Sequence, residues 1–420
     1  MKTVSSGNGK MPLISLIAIL SVSLTINLPG LAVSPMLSKL HHIFHTSVIE
    51  SQLLTSLPNL CMIPIALLSG KLATEKRQTA VLFIGLTLFL LAGIGCFFAE
   101  NIGMLIMLGC VVGIGCGLVV PIAAGAISEW FYRDARQEDL GWKSTVSNAM
   151  IIVANIYVGW VIVYNWHAAF AVYLIPVIPL ALMPFMTRRF ILKHRVVGQS
   201  SATSSSKPVS APLHFSGKKS VLILVKLVLL YAILTYSTTS ISYYAPFLMD
   251  HFGMSTTQVG IVTAAYYFTC SLAGAFVSRL KNLFGSRAIL ICLALCATGL
   301  ITIGLTHSFV VYVAASLLTG FGYGIIQPII YNKTTYVAPT QALGTRYFGY
   351  VLSANYVGIM LVPYIDNLAR KLMGATAPGF EFTFSGFVVA GLLIWAIVER
   401  SNYTFSVVPG HPAPTAAQMA

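Results

Sequence analysis

The stretch Gly-Ile-Gly-Cys-Gly-Leu-Val-Val-Pro at residues 113–121 has a counterpart in Gly-Phe-Gly-Tyr-Gly-Ile-Ile-Gln-Pro at residues 320–328. In both segments three glycines alternate with larger residues, and a proline follows four positions after the last glycine. A pattern that recurs once with identical internal spacing indicates that the chain consists of two similar halves. The fold should therefore be a duplicated one.

The composition places these halves in lipid. Of the 420 residues 57 % are apolar and only 9 % are charged, and the mean hydropathy is +0.83. Such a chain has too few polar groups to cover a water-soluble domain of this size. A helix needs about 20 apolar residues to cross a bilayer, so about twelve crossings fill the chain. No room remains for a sizeable soluble catalytic domain, and we expect no enzyme activity.

The basic residues report orientation and not nucleic-acid binding. The formal net charge is +14, but the lysines and arginines lie between apolar runs and are not gathered on a polar domain. Most of them fall on one side of the predicted membrane, which the positive-inside rule assigns to the cytoplasm. We therefore predict a multi-pass protein of the cytoplasmic membrane with both termini in the cytoplasm.

Uncharged runs bounded by charges or turn residues give twelve predicted spans. In the first half they cover residues 11–37, 48–69, 79–98, 102–127, 144–164 and 168–186. In the second half they cover residues 220–249, 256–277, 288–306, 309–330, 347–365 and 382–398. The prediction is an all-α membrane protein of twelve transmembrane helices in two parallel six-helix repeats, since an even number of helices starts both halves on the same side.

These spans divide the chain into four parts. Residues 1–186 form an N-terminal six-helix bundle and residues 220–400 a C-terminal six-helix bundle. Between them, residues 187–219 are basic at both ends and serine-rich in the middle, a composition typical of a flexible cytoplasmic linker. Residues 401–420 are predicted to be a cytoplasmic tail.

Three further segments carry a family resemblance. The loop Gly-Lys-Leu-Ala-Thr-Glu-Lys-Arg at 70–77 resembles the Gly-x-Leu-x-Asp-Arg signature of the major facilitator superfamily, and residues 278–287 are similar to its second copy. The junction Asn-Trp-His-Ala-Ala-Phe at 165–170 is similar to the family's Trp-Arg-x-x-Phe. The resemblance extends over essentially the whole chain. It implies transport by alternating access, with the substrate enclosed between the two halves.

The sequence departs from the family pattern at informative positions. Thr74 and Asn282 replace the acidic residue of the loop signature, and Gly109 stands where drug antiporters of the family often have an arginine. The resemblance therefore supports the fold more strongly than it supports the subclass of drug–proton antiporters.

Polar side chains inside apolar segments are the candidates for substrate binding. Tyr323, Gln327 and Tyr331 are spaced i, i+4, i+8, so they share one helix face that should point into the bundle. The other candidates on this argument are Asn27, Asn148, Asn155, Tyr236, Ser240, Tyr243 and Asn355. An aromatic and amide lining suits amphipathic or planar solutes. The alternative for each residue is polar contact between helices or a tyrosine at the membrane interface.

Lys226 is the one basic residue within a predicted span. Its ammonium can snorkel to the cytoplasmic interface, or it can act as a cation for an anionic solute in the cavity. The sequence leaves both roles open.

Residues that could govern conformational change come from the repeat and from the loop signature. They are Gly70, Arg77, Gly113, Pro121, Arg279, Gly320 and Pro328. Glycines between membrane helices permit close backbone approach or open a cavity wall. Prolines within a helix remove a hydrogen bond and permit a kink.

Carboxylates near the middle of the bilayer are missing from the predicted spans. Glu50, Glu129 and Asp366 lie near span ends and are the fallback candidates for proton coupling, so protons are an open partner. We find no phosphate-binding loop, no metal-site spacing and no nucleophile triad, so no cofactor and no metal are predicted.

The leading functional hypothesis is a monomeric secondary active or facilitative transporter in the lipid bilayer that moves a small organic solute, with export of amphipathic compounds or drugs favoured. Uptake or exchange of an anionic metabolite is the alternative, which Lys226 and the missing midplane carboxylates favour. A membrane sensor that transports nothing is the hypothesis from another class.

Overall fold

The computed structural model describes residues 3–5, 10–72, 77–130, 133–187, 190–191, 217–337, 341–400 and 403–405. These residues are almost entirely helical, which confirms the predicted all-α class. A single antiparallel pair of short strands, β1 (Thr3–Ser5) and β2 (Lys10–Pro12), precedes the first helix, with Val4 opposite Met11. The first span therefore begins at Leu13 and not at residue 11.

The described residues of the first half form eight α-helices. They are α1 (Leu13–Ser21), α2 (Leu28–Leu31), α3 (Leu37–Phe44), α4 (Val48–Leu72), α5 (Gln78–Cys96), α6 (Ile102–Trp130), α7 (Arg133–Val161) and α8 (Val177–Met186). The second half contains α9 (Gly217–His251), α10 (Thr256–Ala275), α11 (Val277–Phe284), α12 (Ala288–Leu305), α13 (Phe309–Val337), α14 (Gln341–Met373) and α15 (Phe380–Val398).

The first predicted span is a broken helix. Between α1 and α3 the chain forms two 3₁₀ turns, Val22–Thr25 and Ser34–Met36, with the single turn of α2 between them. Pro29 and Pro35 lie at these breaks, where a proline cannot donate the backbone hydrogen bond of a continuing α-helix. The last turn, α3, extends the span to Phe44, seven residues beyond the predicted end.

Nine helical segments of the described chain are long and apolar enough to cross a membrane, and a tenth, Thr145–Val161, is apolar but shorter. Helices α10 and α14 are not among the nine. The two helical halves are present, but the count of twelve membrane crossings stays a prediction.

The repeated glycines lie at close contacts between helices, at equivalent places in the two halves. A Cβ atom on Gly113 of α6 would lie 2.2 Å from the carbonyl oxygen of Pro58 on α4. In the second half, a Cβ atom on Gly320 of α13 would lie 2.1 Å from the carbonyl oxygen of Tyr266 on α10. Because no side chain fits at either distance, the glycines allow each helix to contact its neighbour's backbone.

The halves meet through two pairs of helices, α4 with α14 and α7 with α10. Four hydrogen bonds between the halves cluster at the end of the bundle that holds the turn between α3 and α4, which we call the outer end because the charge pattern predicts that it faces outside. Two of them are Ser34 Oγ to Ser242 O at 2.7 Å and Thr257 Oγ1 to Gly159 O at 3.0 Å.

Candidate functional site

A polar cluster of six residues lies in the middle of the second half, and we call it the tyrosine–amide cluster. It consists of Tyr231 and Thr235 on α9, Tyr323, Gln327 and Tyr331 on α13, and Asn355 on α14. Helix α13 therefore presents its predicted polar stripe to two neighbouring helices and not to lipid.

Tyr231 is the centre of this cluster. Its hydroxyl lies 2.7 Å from the hydroxyl of Tyr331 and accepts a 2.8 Å hydrogen bond from Gln327 Nε2. Gln327 Nε2 also donates to Tyr331 Oη at 3.2 Å. The Tyr231 ring is fully buried and stacks on Tyr323, with the planes inclined by 16° and the centroids 6.5 Å apart.

Asn355 closes the cluster on its α14 side. Its Oδ1 accepts hydrogen bonds of 3.3 Å from both Thr235 Oγ1 and Tyr323 Oη. Gln327, Tyr331 and Asn355 remain partly exposed, whereas Tyr231, Thr235 and Tyr323 are buried. The three partly exposed residues thus offer a solute amide and phenol groups that carry no formal charge.

Tyr231 and Thr235 were not among the residues predicted from the sequence. The predicted residues on the same helix were Tyr236, Ser240 and Tyr243, which lie outside the cluster. Spacing alone could have identified the pair, since Tyr231 and Thr235 are one helical turn apart, like Tyr323 and Gln327. The face of α9 that meets α13 had no other signal.

Tyr236 and Ser240 bond to helices of their own half. The Tyr236 hydroxyl donates to Asp366 Oδ1, and Ser240 Oγ lies 2.9 Å from Ser385 Oγ on α15. Tyr243 is fully buried, and its backbone oxygen accepts a hydrogen bond from Gln52 Nε2 across the interface between the halves.

In the first half, the structure brings two of the three predicted asparagines together. Asn27, at the break before α2, donates from Nδ2 to Asn148 Oδ1 on α7 at 3.5 Å. Asn155 lies two turns further along α7, where its side-chain amide is buried and finds no hydrogen-bond partner among the described residues. Its backbone approaches Gly260 on α10, so Asn155 lies at the interface between the halves.

Lys226 is engaged in an ion pair. Its Nζ lies 2.6 Å from Glu399 Oε2, just beyond the end of α15, so the ammonium is neutralised where the last helix ends. Of the two roles that the sequence left open, this position favours the interfacial one.

Lys143 lies immediately before the predicted span at 144–164 and was not among the predicted site residues. Helix α7 begins at Arg133, not near residue 144 as predicted, so Lys143 lies ten residues inside a helix. It is partly buried, interacts with Cys116 of the α6 glycine segment, and has no carboxylate partner among the described residues. Cys116 itself donates from Sγ to the backbone oxygens of Thr25 and Ile26, at the break in the first span.

The conformational candidates take different positions. Pro121 and Pro328 lie inside the continuous helices α6 and α13, and Arg77 is exposed at the start of α5. Arg279 is also exposed, with its guanidinium 5.7 Å from the Phe276 ring centroid. The surroundings of Gly70 lie outside the part of the chain that the structure describes. A gating role for these residues stays a prediction.

The three candidate carboxylates have separate environments. Glu50 is exposed and caps α4, because its Oε2 accepts hydrogen bonds of 2.7 Å and 3.0 Å from Ser47 N and Oγ. The side chain of Glu129 lies outside the described residues. Asp366 was expected at a helix end, but α14 continues to Met373 and the carboxyl group is fully buried.

The described residues contain no group of three His, Cys, Asp or Glu side chains that could hold a metal ion. The candidate site has two parts: the Asn27–Asn148 pair beside a helix break in the first half, and the uncharged phenol and amide groups of the tyrosine–amide cluster in the second. The side chains named in these two parts carry no formal charge, so their chemistry is hydrogen bonding and stacking.

Residues 13–363 match the sequence description of the Major Facilitator Superfamily, which is most of the chain. The chain belongs to the major facilitator superfamily. It is a multi-pass membrane transporter and not an enzyme. The predicted resemblance is thereby confirmed.

Two curated relatives agree with this assignment. The multi-drug resistance efflux pump PmrA homolog of Lactococcus lactis subsp. lactis (strain IL1403) is 22 % identical over 369 residues, which cover 84 % of this chain and 85 % of the relative. The uncharacterized MFS-type transporter YhcA of Bacillus subtilis (strain 168) is 26 % identical over 144 residues, which cover 34 % of this chain and 26 % of the relative.

Solved transporters share the fold of this superfamily member. A POT family transporter in complex with a thioalcohol-conjugated peptide matches with a TM-score of 0.73 and 12 % identity, over 92 % of this chain and 96 % of the other. A D-xylose–proton symporter matches with a TM-score of 0.68 and 16 % identity, over 94 % and 97 %. At these identities the likeness concerns the fold alone.

Proposed function

We propose that this protein exports a small amphipathic organic compound by alternating access, and that the compound binds between the tyrosine–amide cluster and the Asn27–Asn148 pair. The observation that carries the proposal is the uncharged character of the cluster around Tyr231, which offers phenol and amide groups on an aromatic surface. Such a surface binds planar apolar bodies by stacking and orients them with a few hydrogen bonds.

Two facts support the direction and the substrate class. The relative that aligns with 84 % of this chain is named as a multidrug efflux pump. Lys226, the cation that favoured an anionic solute in the sequence, is neutralised by Glu399. We infer that the solute is accepted mainly for its apolar body, with the hydrogen bonds of Gln327 and Asn355 as secondary contacts.

A second candidate function, uptake or exchange of an anionic metabolite, has one observation in its favour. Lys143 lies partly buried beside Cys116 with no carboxylate partner in the described parts of the chain. An ammonium in such a place attracts anions. The two candidates thus differ in whether binding depends on Lys143 or on the tyrosine–amide cluster alone.

A thermal-shift screen of the purified protein tests the proposal. The probes are tetraphenylphosphonium, neutral planar aromatics and a set of small carboxylates, each at fixed pH and salt. A ligand at 100 times its Kd stabilises the folded protein by about 2.7 kcal/mol, which is readily measured. We expect stabilisation by the lipophilic compounds, reduced in Gln327→Ala and retained in Ser240→Ala, because Ser240 bonds to Ser385 outside the cluster.

Stabilisation by carboxylates only, lost in Lys143→Met, would instead establish the second candidate. Lipophilic probes that stabilise the wild type and Gln327→Ala equally would place the binding site elsewhere and contradict the proposal.

A further inference from the structure

Asp366 is a carboxyl group buried inside the second half. Its relative exposure is 0 %, and it lies seven residues before the end of α14. The hydroxyl of Tyr236 donates to Oδ1. Oδ2 has no hydrogen-bond partner among the described residues. An ionised carboxylate with one bare oxygen in an apolar interior is strongly disfavoured compared with the neutral acid.

The charged and titratable groups around Asp366 do not neutralise it. From α9 it faces Tyr236 and Tyr244, from α15 Glu381, and from its own helix Arg370. Arg370 is the nearest cation, but its Nε donates to Glu381 at 2.7 Å and its other nitrogens bond to backbone oxygens. The nearby Glu381 also repels a second negative charge. The surroundings therefore suit a neutral Asp366.

The same carboxyl group is linked to the interface between the halves. Asp366 bonds to Tyr236 of α9, and seven residues further along that helix Tyr243 is bonded by Gln52 of α4 in the first half. Gln52 Nε2 donates to Tyr243 O at 3.3 Å. All four side chains, Gln52, Tyr236, Tyr244 and Asp366, are buried. A change of charge on Asp366 thus acts on residues that hold the outer end closed.

We propose that Asp366 is a proton-binding site that carries its proton when the outer end is closed and releases it to water when the outer end opens. The O–H bond of the carboxylic acid breaks, the proton passes to water, and the carboxylate left behind becomes hydrated. Since a ligand shifts an equilibrium only by its preference for one state, proton binding stabilises the closed form. This inference rests on the proposed function in one respect, namely that the released proton is coupled to transport of the solute.

Infrared difference spectra of the purified protein test whether Asp366 is protonated, and no solute is needed. Exposed aspartates ionise near pH 4, so at pH 7 they give no carboxylic acid absorption. We expect a carboxylic acid C=O band at pH 7 that disappears in Asp366→Asn and remains in the matched variant Asp250→Asn, whose side chain is exposed. Tyr236→Phe should retain the band at a shifted frequency, because the carboxyl group loses a hydrogen-bond donor.

Electron spin distance measurements test the link to the outer end. Spin labels at Lys39→Cys and His251→Cys, both exposed and on different halves, report its opening in a background without native cysteines. Raising the pH should increase the population with the longer distance in the wild type. Because one proton is released, the open-to-closed ratio should rise by at most tenfold per pH unit. Asp366→Asn should stay closed. Since the labelled Asp366→Asn variant has the same histidines as the labelled wild type, it also controls for their titration.

If Asp366→Asn left the carboxylic acid region of the spectrum at pH 7 unchanged, Asp366 would be ionised at that pH and the proposal would be overturned. Equal opening with pH in Asp366→Asn and in the wild type would overturn the link to the outer end. Neither result depends on the identity of the solute, so failure here is distinct from failure of the export hypothesis.

Discussion

His42 Nε2 of α3 lies 2.8 Å from Asp250 Oδ2 at the end of α9, so this contact joins the two halves at the outer end. Both side chains are well exposed, at 62 % and 45 %. Although the Nε2–Oδ2 distance is short, water therefore screens the attraction between the two side chains strongly. The contact, which is an ion pair only when the His42 imidazole is protonated, should adjust the closure of the outer end without dominating it.

Loss of this pair should have a small and salt-dependent effect. An exposed ion pair is worth about 0–1 kcal/mol, so His42→Ala should raise the open-to-closed ratio of the outer end no more than about fivefold. The effect should fade at high salt because ions screen exposed charges. The same spin-label pair measures it. Ser34→Ala, which removes a buried 2.7 Å hydrogen bond to Ser242 O, is the salt-insensitive comparison.

Replacement of the repeated glycines should separate helices that now touch. Gly113→Ala and Gly320→Ala each place a carbon within 2.2 Å of a neighbouring carbonyl oxygen, so we expect both to lower the thermal stability in detergent. Gly391→Ala on α15 is the matched control, since nothing lies within 4 Å of its added carbon. It should be neutral or stabilising by up to about 1 kcal/mol. Equal losses in all three variants would contradict a packing role.

The tyrosine–amide cluster should be organised by Tyr231. Tyr231→Phe removes the hydroxyl that accepts from Gln327 and contacts Tyr331, so Gln327 Nε2 loses its shorter hydrogen bond. A net hydrogen bond is worth about 0.5–1.5 kcal/mol, and we expect a threefold to tenfold weaker binding of any solute that the thermal-shift screen identifies. Isothermal titration would measure it. Thr298→Val on α12, which bonds only to its own helix, should bind as the wild type does.

The two lysines should behave differently toward anions. Lys226→Met leaves Glu399 without this partner and should lower stability slightly, with no effect on binding. If the solute is anionic, Lys143→Met should weaken it about tenfold or more, because a charge-assisted contact shielded from water is worth roughly 1.5–3 kcal/mol. Binding measured at fixed pH and salt in both variants decides the matter. The opposite ranking of the two variants would return the cavity cation to Lys226.

Orientation has its own test. We expect the linker at 187–219 and both termini to face the cytoplasm, because the basic residues concentrate on that side. A cysteine introduced at Ser204 should react with a membrane-impermeant reagent only after the cells are opened. Labelling from outside intact cells would reverse the predicted topology. A cysteine at Lys39, in the exposed α3, should be labelled in both conditions.

The sequence by itself determined the duplicated helical architecture and the polar stripe of α13. Both depend on short-range rules: about 20 apolar residues cross a bilayer, and residues at i, i+4, i+8 share a face. The glycine spacing at 113–121 and 320–328 allowed either close helix contacts or an open cavity wall, and the structure shows close contacts at Gly113 and Gly320. The breaks at Pro29 and Pro35 were not predicted, since hydropathy alone gave one uninterrupted span at 11–37.

Only the tertiary structure decided which partners the polar residues meet. Lys226 finds Glu399, 173 residues away, and Tyr231 finds Tyr331, 100 residues away. No local pattern encodes such pairs. Helix ends also differ from the hydropathy prediction: α7 begins eleven residues before its predicted start and α14 continues eight residues beyond residue 365. Hydropathy places a helix end where polar residues begin, whereas both helices continue through polar turns, so Lys143 lies within α7 and Asp366 within α14, where it is fully buried.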